Sequence, residues 1–244
     1  ATVLSGLRGN ISWPRQLDEL TATWVAEEGP CTPSYLTFGE LNSSPKRIVS
    51  ATGYTLQLLR QSSTGVEAMV RREIGYAIAK GIDRGGLYGT GTGNAVLGLT
   101  NTPGLQPFTF GGAPTLATLR NVIALLECCH CANGNFKWLM NPTVKAAWTS
   151  TQRLPNSGVT LATPSANQAT AEGYDIVHLC SHPNTVLMGE FAQMFVGFWG
   201  GMDLVIDPYT NACNGSINVT ANHFADVGVF NACAFAESTD DGNQ

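Results

Sequence analysis

The sequence predicts an α+β fold, in which helices and strands are interleaved without the regular strand–helix alternation of a parallel sheet. Two observations lead to this class. One amphipathic stretch is long enough for a helix of about 22–25 residues, and a second helical pattern follows it. Short strand patterns bounded by Gly, Pro, Asn and Asp occupy most of the remaining chain.

The longest helix is predicted at about residues 64–88. Thr64 and Glu67 have the spacing of a capping box, and the glycines from Gly85 to Gly93 mark the end of the helix. Such a helix is roughly 33–37 Å long at 1.5 Å per residue. The apolar or small residues that recur with a period of 3.6 and define its packing stripe are Val66, Met69, Val70, Ile74, Ala77, Ile78, Gly81, Ile82 and Gly85.

The chain before this helix predicts an extended region. Residues 1–12 have no pattern of their own and are interpreted as an arm. Residues 21–26 and 34–41 alternate in polarity around a turn at 27–33, which predicts a two-stranded hairpin. Residues 48–59 fit either a strand or a short helix.

The chain after the long helix predicts a compact module. A second helix is expected from Thr115 to Ala132, with Leu116, Leu119, Val122, Ile123 and Leu126 on one face. A strand at 137–140 leads to a short helix that Asn141-Pro142-Thr143 opens and that runs through Trp148. Residues 154–172 are interpreted as a polar surface excursion, and residues 237–244 as a frayed tail. Further strands are predicted at residues 176–179, 186–191, 202–206, 216–222 and 227–230.

Composition limits the classes of function. Only 13% of the 244 residues are charged and 43% are hydrophobic, with a net charge of −5. The negative charge argues against general nucleic-acid binding, which relies on a basic surface. No apolar run reaches the roughly 18 residues of a membrane span. The low charge content fits a chain that buries much of its surface against copies of itself, although an ordinary Gly/Thr-rich β protein has the same composition.

The seven cysteines (Cys31, Cys128, Cys129, Cys131, Cys180, Cys213 and Cys233) are odd in number and irregularly spaced. This pattern argues against a secreted disulfide framework and favours folding in a reducing cytoplasm. Cys128, Cys129, His130 and Cys131 are metal-ligating residue types, with Cys180 or His182 as more distant candidates. Consecutive helical residues point in different directions, so we expect buried thiols here and no metal.

The run Gly89-Thr90-Gly91-Thr92-Gly93 is the other candidate binding motif. Glycine loops that hold phosphates follow a strand and open a helix, whereas this run follows a helix and lacks a Gly-Lys-Ser/Thr. A helix stop with a tight reversal is therefore the interpretation, with no cofactor.

No catalytic constellation is recognisable in the sequence. Gly-x-Ser-x-Gly is absent, and Glu27-Glu28 and Asp240-Asp241 fit solvated charges better than paired acid–base carboxylates. We therefore predict no enzyme and no catalytic, cofactor or metal site.

Several strings resemble the HK97-type major capsid protein of tailed double-stranded DNA bacteriophages. The most similar is Leu87-Tyr88-Gly89-Thr90-Gly91-Thr92-Gly93, followed by Gly98-Leu99. Others lie in the family's order along nearly the whole chain: Thr37-Phe38 with Ser44-Pro45-Lys46-Arg47, Leu58-Leu59-Arg60-Gln61-Ser62-Ser63 with Val66-Glu67, Ala77-Ile78-Ala79 with Ile82-Asp83, Trp138-Leu139-Met140-Asn141-Pro142, Met188-Gly189-Glu190-Phe191, Asp207-Pro208-Tyr209 and Asp226-Val227-Gly228-Val229.

The resemblance implies a division into domains. Residues 1–12 would form an N-terminal arm, and residues 13–47 an extended hairpin loop. Residues 48–95 and 199–226 would form a peripheral domain around the spine helix. Residues 96–198 and 227–238 would form an axial domain, followed by a flexible tail at 239–244. A family protease often removes an N-terminal scaffolding segment, which would explain a chain that starts at Ala1.

The resemblance also implies a function. The chain would assemble as hexamers and pentamers into an icosahedral head that encloses double-stranded DNA, with portal and decoration proteins as further partners and no membrane. It would be assembled in the host cytoplasm and reside in the virion. An encapsulin-type shell of a cellular compartment is the alternative with the same fold, and a small metal- or nucleotide-binding enzyme is a third class.

Some members of the family cross-link covalently through a lysine of the extended loop. No lysine precedes Lys46 here, so we expect no isopeptide cross-link. Cys31 at the loop tip leaves an inter-subunit disulfide open.

Overall fold

The computed structural model describes residues 1–16, 20–61, 65–128, 135–154, 157–164, 169–180, 183 and 185–240. Helices and strands are mixed along the chain, which confirms the predicted α+β class. The helices are α1 (Leu56–Gln61), α2 (Val66–Tyr88), α3 (Leu116–Glu127) and α4 (Pro142–Ser150). The strands are β1 (Thr2–Leu4), β2 (Ile11–Gln16), β3 (Phe38–Ser43), β4 (Lys46–Thr55), β5 (Gln106–Phe108), β6 (Lys137–Met140), β7 (Ala162–Thr163), β8 (Thr170–Ala171), β9 (Tyr174–His178), β10 (Val186–Gly189), β11 (Met194–Phe198), β12 (Asp203–Asp207), β13 (Ser216–Val229) and β14 (Phe235–Ser238).

A five-stranded sheet is organised around β13, which is 14 residues long. Residues 218–222 of β13 pair with β4 and β12 at once, so these two strands lie on opposite edges of β13. β11 continues the β12 edge after a break at residues 199–202, and β1 adds to β11 in parallel. The predicted arm thus contributes a strand to this sheet.

The long helix is confirmed in position and length, because α2 has 23 residues. Ile74 and Ile78 are buried with Tyr54, Val219 and Ala221 of the five-stranded sheet. Met69 and Ala77 were expected on the packing stripe but are exposed. The stripe that faces the sheet is centred on Ile74 and Ile78, and the helical period turns Met69 to the opposite side.

The start of α2 differs from the predicted capping box. Gly65 is the N-cap residue and makes no side-chain cap bond, and Thr64 lies outside the described residues. Glu67 binds Arg71 one turn further on, at 2.6 Å. A capping box does occur at α3, where Thr115 and Thr118 exchange side-chain and backbone bonds.

A seven-stranded mixed sheet, in the order β5-β14-β10-β6-β9-β8-β7, forms the second part of the molecule. Its core includes Trp138 and Trp148, whose ring centroids are 5.3 Å apart, together with Leu119, Val122 and Leu126 of α3. The predicted apolar face of α3 is thereby confirmed. The described helix ends at Glu127, and residues 129–134 of the longer prediction lie outside the described part.

The expected surface excursion at 154–172 is wrong in part. β7 and β8 complete the edge of the seven-stranded sheet, and Leu161, Ala169 and Ala171 are buried. Alanines carry too weak a hydrophobic pattern to show this role in a sequence. Glu172 accepts ion pairs from Arg120, at 3.1 Å, and from Arg153.

Three other boundaries are corrected. The strands predicted at 216–222 and 227–230 are the single strand β13, because residues 223–226, which include the polar His223 and Asp226, are paired within the sheet. Residues 48–59 contain both the end of β4 and the start of the helix α1. The tail is ordered through Asp240: Thr239 donates its backbone N–H to Phe108 at 2.8 Å, and residues 241–244 lie outside the described part.

Candidate assembly surfaces

The extended loop is a hairpin whose described residues pair near its base. β2 and β3 are in register from Ile11↔Ser43 to Gln16↔Phe38. The predicted strand at 21–26 is wrong, because residues 20–37 form no strand. A strand pair needs a surface to lie on. The five-stranded sheet provides that surface near the base of the loop. No described residue provides one beside the distal part.

The distal part of the loop carries large apolar side chains that face solvent. Trp24 is 104% exposed and Tyr35 is 79% exposed, and Leu20, Val25 and Phe38 are exposed as well. A scattered exposed leucine is ordinary, but a group of this size marks an interaction surface. We call residues 20–38 the distal loop. Glu27 and Glu28 at its turn are solvated, as the sequence indicates.

The base of the loop is packed against the five-stranded sheet. The Trp13 ring lies 5.9 Å from Phe195 and 6.2 Å from Phe230, measured between centroids. Trp199 donates its indole N–H to the carbonyl oxygen of Gly9 at 2.7 Å. These contacts join the first limb of the loop to the sheet.

The second limb is held by one buried carboxylate. Asp226 is 3% exposed. Its Oδ2 accepts from the Ser43 hydroxyl and from the Ser44 backbone N–H, both at 3.0 Å. Its Oδ1 accepts from Lys46 Nζ at 3.3 Å and from the Val227 backbone N–H at 3.0 Å. Three of these four donors belong to the junction between β3 and β4.

A second exposed apolar surface lies at the far end of the five-stranded sheet. None of the residues of α1 is buried, although Leu56, Leu58 and Leu59 are apolar. The Leu56 backbone N–H donates to the Gly215 carbonyl at 2.8 Å. This bond places α1 beside the connection from β12 to β13, where Tyr209 is 86% exposed. Met69 and Tyr76 are exposed on the outer side of α2.

The glycine run after α2 has the geometry of a tight reversal, as predicted. Gly89 is the C-cap residue, and its carbonyl accepts from the Gly98 backbone N–H at 2.8 Å. A Cβ atom on Gly98 would lie 2.3 Å from the Gly89 nitrogen. Close approach of two backbones therefore explains these glycines.

The expectation of buried thiols is wrong for Cys128, which is exposed and free. Cys31, Cys180 and Cys213 are also exposed and free. Cys233 is disulfide-bonded. Cys129, His130, Cys131 and His182 lie outside the described residues. Within the described part of the chain, no three His, Cys, Asp or Glu side chains are grouped closely enough to hold a metal ion.

Asp240 does not behave as the solvated charge that was expected. It accepts from the backbone N–H groups of Phe110 and Gly111, at 3.0 and 2.9 Å, and from the Thr109 hydroxyl at 2.8 Å. Burial raises the pKa of this carboxyl, but these hydrogen bonds outweigh burial, so the pKa lies below its ordinary value. Asp240 thereby ties the end of the chain to the segment before α3.

The candidate assembly residues that the sequence analysis did not single out are the exposed Trp24 and Tyr35, the leucines of α1, and Asp226. For Trp24 and Tyr35, the available signal was a low charge content with apolar residues outside the predicted core. Of the described helices, none is both long and apolar enough to cross a membrane.

These features define a class of protein: an α+β subunit with a projecting loop and large apolar side chains left for contacts outside its own chain. The Phage capsid family matches residues 1–238. The major capsid protein of Halomonas phage phiHAP-1 is 30% identical over 247 residues, which cover 97% of this chain. The chain spans 39% of the length of that curated relative.

Solved structures show the same fold. The capsid of a native GTA particle superposes with a TM-score of 0.78 at 14% identity, covering 98% of this chain and 87% of that one. A chain of Microbacterium phage Oxtober96 gives 0.75 at 13% identity, covering 97% and 88%. A chain of Mycobacterium phage Adephagia gives 0.74 at 11% identity, covering 98% and 87%. The fold is the HK97-type capsid fold, and the chain belongs to the Phage capsid family, which is a structural family and not an enzyme family.

Proposed function

We propose that this chain is the shell-forming subunit of a tailed-phage head, assembling with copies of itself as hexamers and pentamers into an icosahedral shell. The observation that carries this proposal is the distal loop. Trp24 and Tyr35 face solvent on a loop that leaves its own sheet, and fully burying a large apolar side chain stabilises by about 1.5–3 kcal/mol. A neighbouring copy of the chain supplies the missing surface.

A division into domains is the second part of the proposal. Residues 13–47 serve as the extended loop. Residues 48–95 and 199–226 form the peripheral domain around α2, and residues 96–198 and 227–238 form the axial domain. Two separate cores support this division: Ile74 and Ile78 of α2 pack on the five-stranded sheet, and Trp138 and Trp148 lie in the core of the seven-stranded sheet. The boundary between the domains crosses the five-stranded sheet, because β11 and the last residues of β13 belong to that sheet.

The contents and partners of the head form the next part of the proposal. The shell encloses double-stranded DNA without sequence specificity, is built in the host cytoplasm, and accepts a portal and decoration proteins. A net charge of −5 supports a container role, since a strongly basic lumen would hold the DNA in place. The family match and the relatives named above come from phages and a GTA particle, so no observation favours an encapsulin-type compartment.

Nuclease protection of particles from the native source tests the contents. Intact particles that protect genome-length double-stranded DNA until the shell is denatured support the phage head. Particles of the same size that hold protein cargo and no protected DNA would instead identify a cellular compartment.

A loop variant tests the assembly surface. Replacing both Trp24 and Tyr35 by serine should leave the subunit folded, because neither side chain is buried in its own chain, and should lower the yield of shells at least tenfold. The matched control replaces Glu27 and Glu28 by glutamine on the same loop, which keeps side-chain volume and should leave the yield within about twofold. Equal shell yields from the two variants would contradict the role of the distal loop. Circular dichroism of both variants checks that each subunit is folded.

A further inference from the structure

The junction between β3 and β4 is where the extended loop leaves the body of the subunit. Ser43 is the last residue of the hairpin ladder, and Lys46 is the first residue paired with β13. Only Ser44 and Pro45 separate the two ladders. The backbone conformation of this short link therefore sets the direction in which the hairpin projects.

Asp226 contacts this link from the central strand of the sheet. Its carboxylate accepts hydrogen bonds from the Ser43 hydroxyl, the Ser44 backbone N–H and the Lys46 ammonium group, at 3.0, 3.0 and 3.3 Å. With the Val227 N–H, these donors supply all four bonds that a carboxylate ordinarily accepts. Ser43 is itself buried, so solvent cannot readily replace the bond that its hydroxyl makes.

We infer that Asp226 is the positioning residue of the extended loop: its carboxylate fixes the angle between the hairpin and the five-stranded sheet, and so selects where on a neighbouring copy the distal loop can land. This inference rests on the proposed assembly function. The limb from Ile11 to the turn at Glu27 is at most on the order of 50 Å long, since an extended chain advances roughly 3.3 Å per residue. A small rotation at the base therefore displaces Trp24 by several ångströms.

The chemistry of the contact explains why a carboxylate is needed. Hydrogen bonds to a charged group are roughly twice as strong as bonds between neutral groups. All three groups of the junction that contact Asp226 are donors. An asparagine keeps the volume of the side chain but replaces one acceptor oxygen by an NH₂ group. That NH₂ group faces donors only, so at least one donor of the junction loses its partner.

The other loop contacts do not fix the angle on their own. Trp13 packs on Phe195 and Phe230, and Trp199 binds Gly9. These contacts hold only the first limb of the loop. The second limb reaches the sheet directly through Asp226, whose bonds have definite direction.

The experiment measures the loop angle in the subunit before assembly. Spin labels on Glu40→Cys, an exposed position in β3 near the base of the loop, and on the exposed Cys213, at the far end of the sheet, report their separation by pulsed electron resonance, with Cys31 and the other reactive thiols replaced by serine. Wild type should give one narrow distance distribution. Asp226→Asn should at least double its width, and Lys46→Met, which keeps the Ser43 and Ser44 bonds, should broaden it less.

Asp203→Asn is the matched control, because Asp203 is an exposed carboxylate on β12 of the same sheet. It should leave the distribution unchanged. Unchanged widths for a folded Asp226→Asn variant would overturn the inference, as would shells of normal yield and curvature from that variant. If Asp226→Asn does not fold, Lys46→Met against Asp203→Asn decides: equal widths for those two overturn the inference.

The wild-type chain separates this result from the proposed function. A wild type that never forms shells contradicts the proposed function whatever the loop angle is. If the wild type forms shells and the Asp226→Asn variant forms them equally well, only the positioning role is contradicted.

Discussion

The indole nitrogen of Trp199 and the carbonyl oxygen of Gly9 are 2.7 Å apart, and this hydrogen bond joins the break between β11 and β12 to the start of the extended loop. The bond spans 190 positions of the sequence. The Trp199 side chain is nearly buried, and Gly197 is close enough to its ring that a Cβ there would meet it at 3.1 Å. One aromatic residue thus both fills the break in the sheet and fastens the first limb of the loop.

Replacing Trp199 by phenylalanine tests this attachment. The variant loses the hydrogen bond and part of the ring packing, so its free energy of unfolding should fall by about 1–2 kcal/mol. Chemical denaturation of the isolated subunit, followed by circular dichroism, measures the change. Trp24→Phe is the control, because Trp24 is fully exposed and should change stability by less than about 0.5 kcal/mol. Equal stabilities for the two variants would show that the Gly9 bond contributes nothing.

A methyl group at Gly98 should damage the reversal after α2. Its Cβ would lie 2.3 Å from the Gly89 nitrogen and 2.7 Å from the Leu87 carbonyl carbon, and backbone atoms cannot move aside as a side chain can. We expect Gly98→Ala to lower the free energy of unfolding by about 2 kcal/mol or more. Gly201→Ala, where a Cβ would meet nothing within 4 Å, should change it little. Denaturation midpoints that shift equally would refute the close approach.

A methyl group at Gly75 should have the opposite effect. Gly75 lies inside α2, and a Cβ there would meet nothing within 4 Å. Alanine restricts the unfolded chain and favours the helix, so Gly75→Ala should raise the free energy of unfolding by about 0.5–1 kcal/mol.

Gly81 is the matched position in the same helix. A Cβ at Gly81 would lie 2.6 Å from the Ile48 side chain, so Gly81→Ala should show no gain or a loss. Thermal unfolding of the two variants side by side distinguishes them. A larger gain at Gly81 than at Gly75 would contradict the packing of α2 on β4.

Asp240 should make the stability of the subunit depend on pH in the acidic range. Its folded-state pKa is lowered, because the bonds from Phe110, Gly111 and Thr109 outweigh the effect of burial. A lowered pKa means that this contribution is fully present above the unfolded-state pKa of roughly 4 and is lost as the pH falls through the folded-state value. Asp240→Asn should therefore be less stable than wild type at pH 7, and this difference in stability should shrink as the pH is lowered.

Urea midpoints measured across this pH range test the sign. Asp203→Asn removes an exposed carboxylate of β12, and it should follow the wild-type curve. A stability difference for Asp240→Asn that grows as the pH falls would contradict the assignment.

Sequence patterns correctly predicted the elements that are determined by residues close together in the chain. The period of 3.6 gave α2 almost to the residue, and Asn141-Pro142 gave the start of α4, because capping and periodicity act within a few positions of the chain. The Gly89–Gly93 reversal was predicted for the same reason. The packing face of α2 was less accurate, since Met69 continues the apolar pattern although no sheet residue lies opposite it.

Contacts between distant residues could not be predicted in this way. Nothing near Asp226 in the sequence shows that Ser43, Ser44 and Lys46 will supply its donors, and the polar His223 and Asp226 made β13 resemble two strands. A hairpin strand was predicted at 21–26, beyond the paired base, because polarity alternates around residue 24 as it does in a strand. In the structure, the apolar side chains of this segment face solvent. The capsid fold itself came from resemblance and not from these patterns.

Electron microscopy of the purified native-source protein tests whether the chain forms a shell. We expect closed icosahedral shells tens of nanometres across, built from five- and six-membered rings, in which the distal loop of each subunit covers a neighbour and Trp24 is buried. Preparations that contain only the 25.9 kDa subunit or shapeless aggregates, under conditions in which the chain is folded, would contradict it.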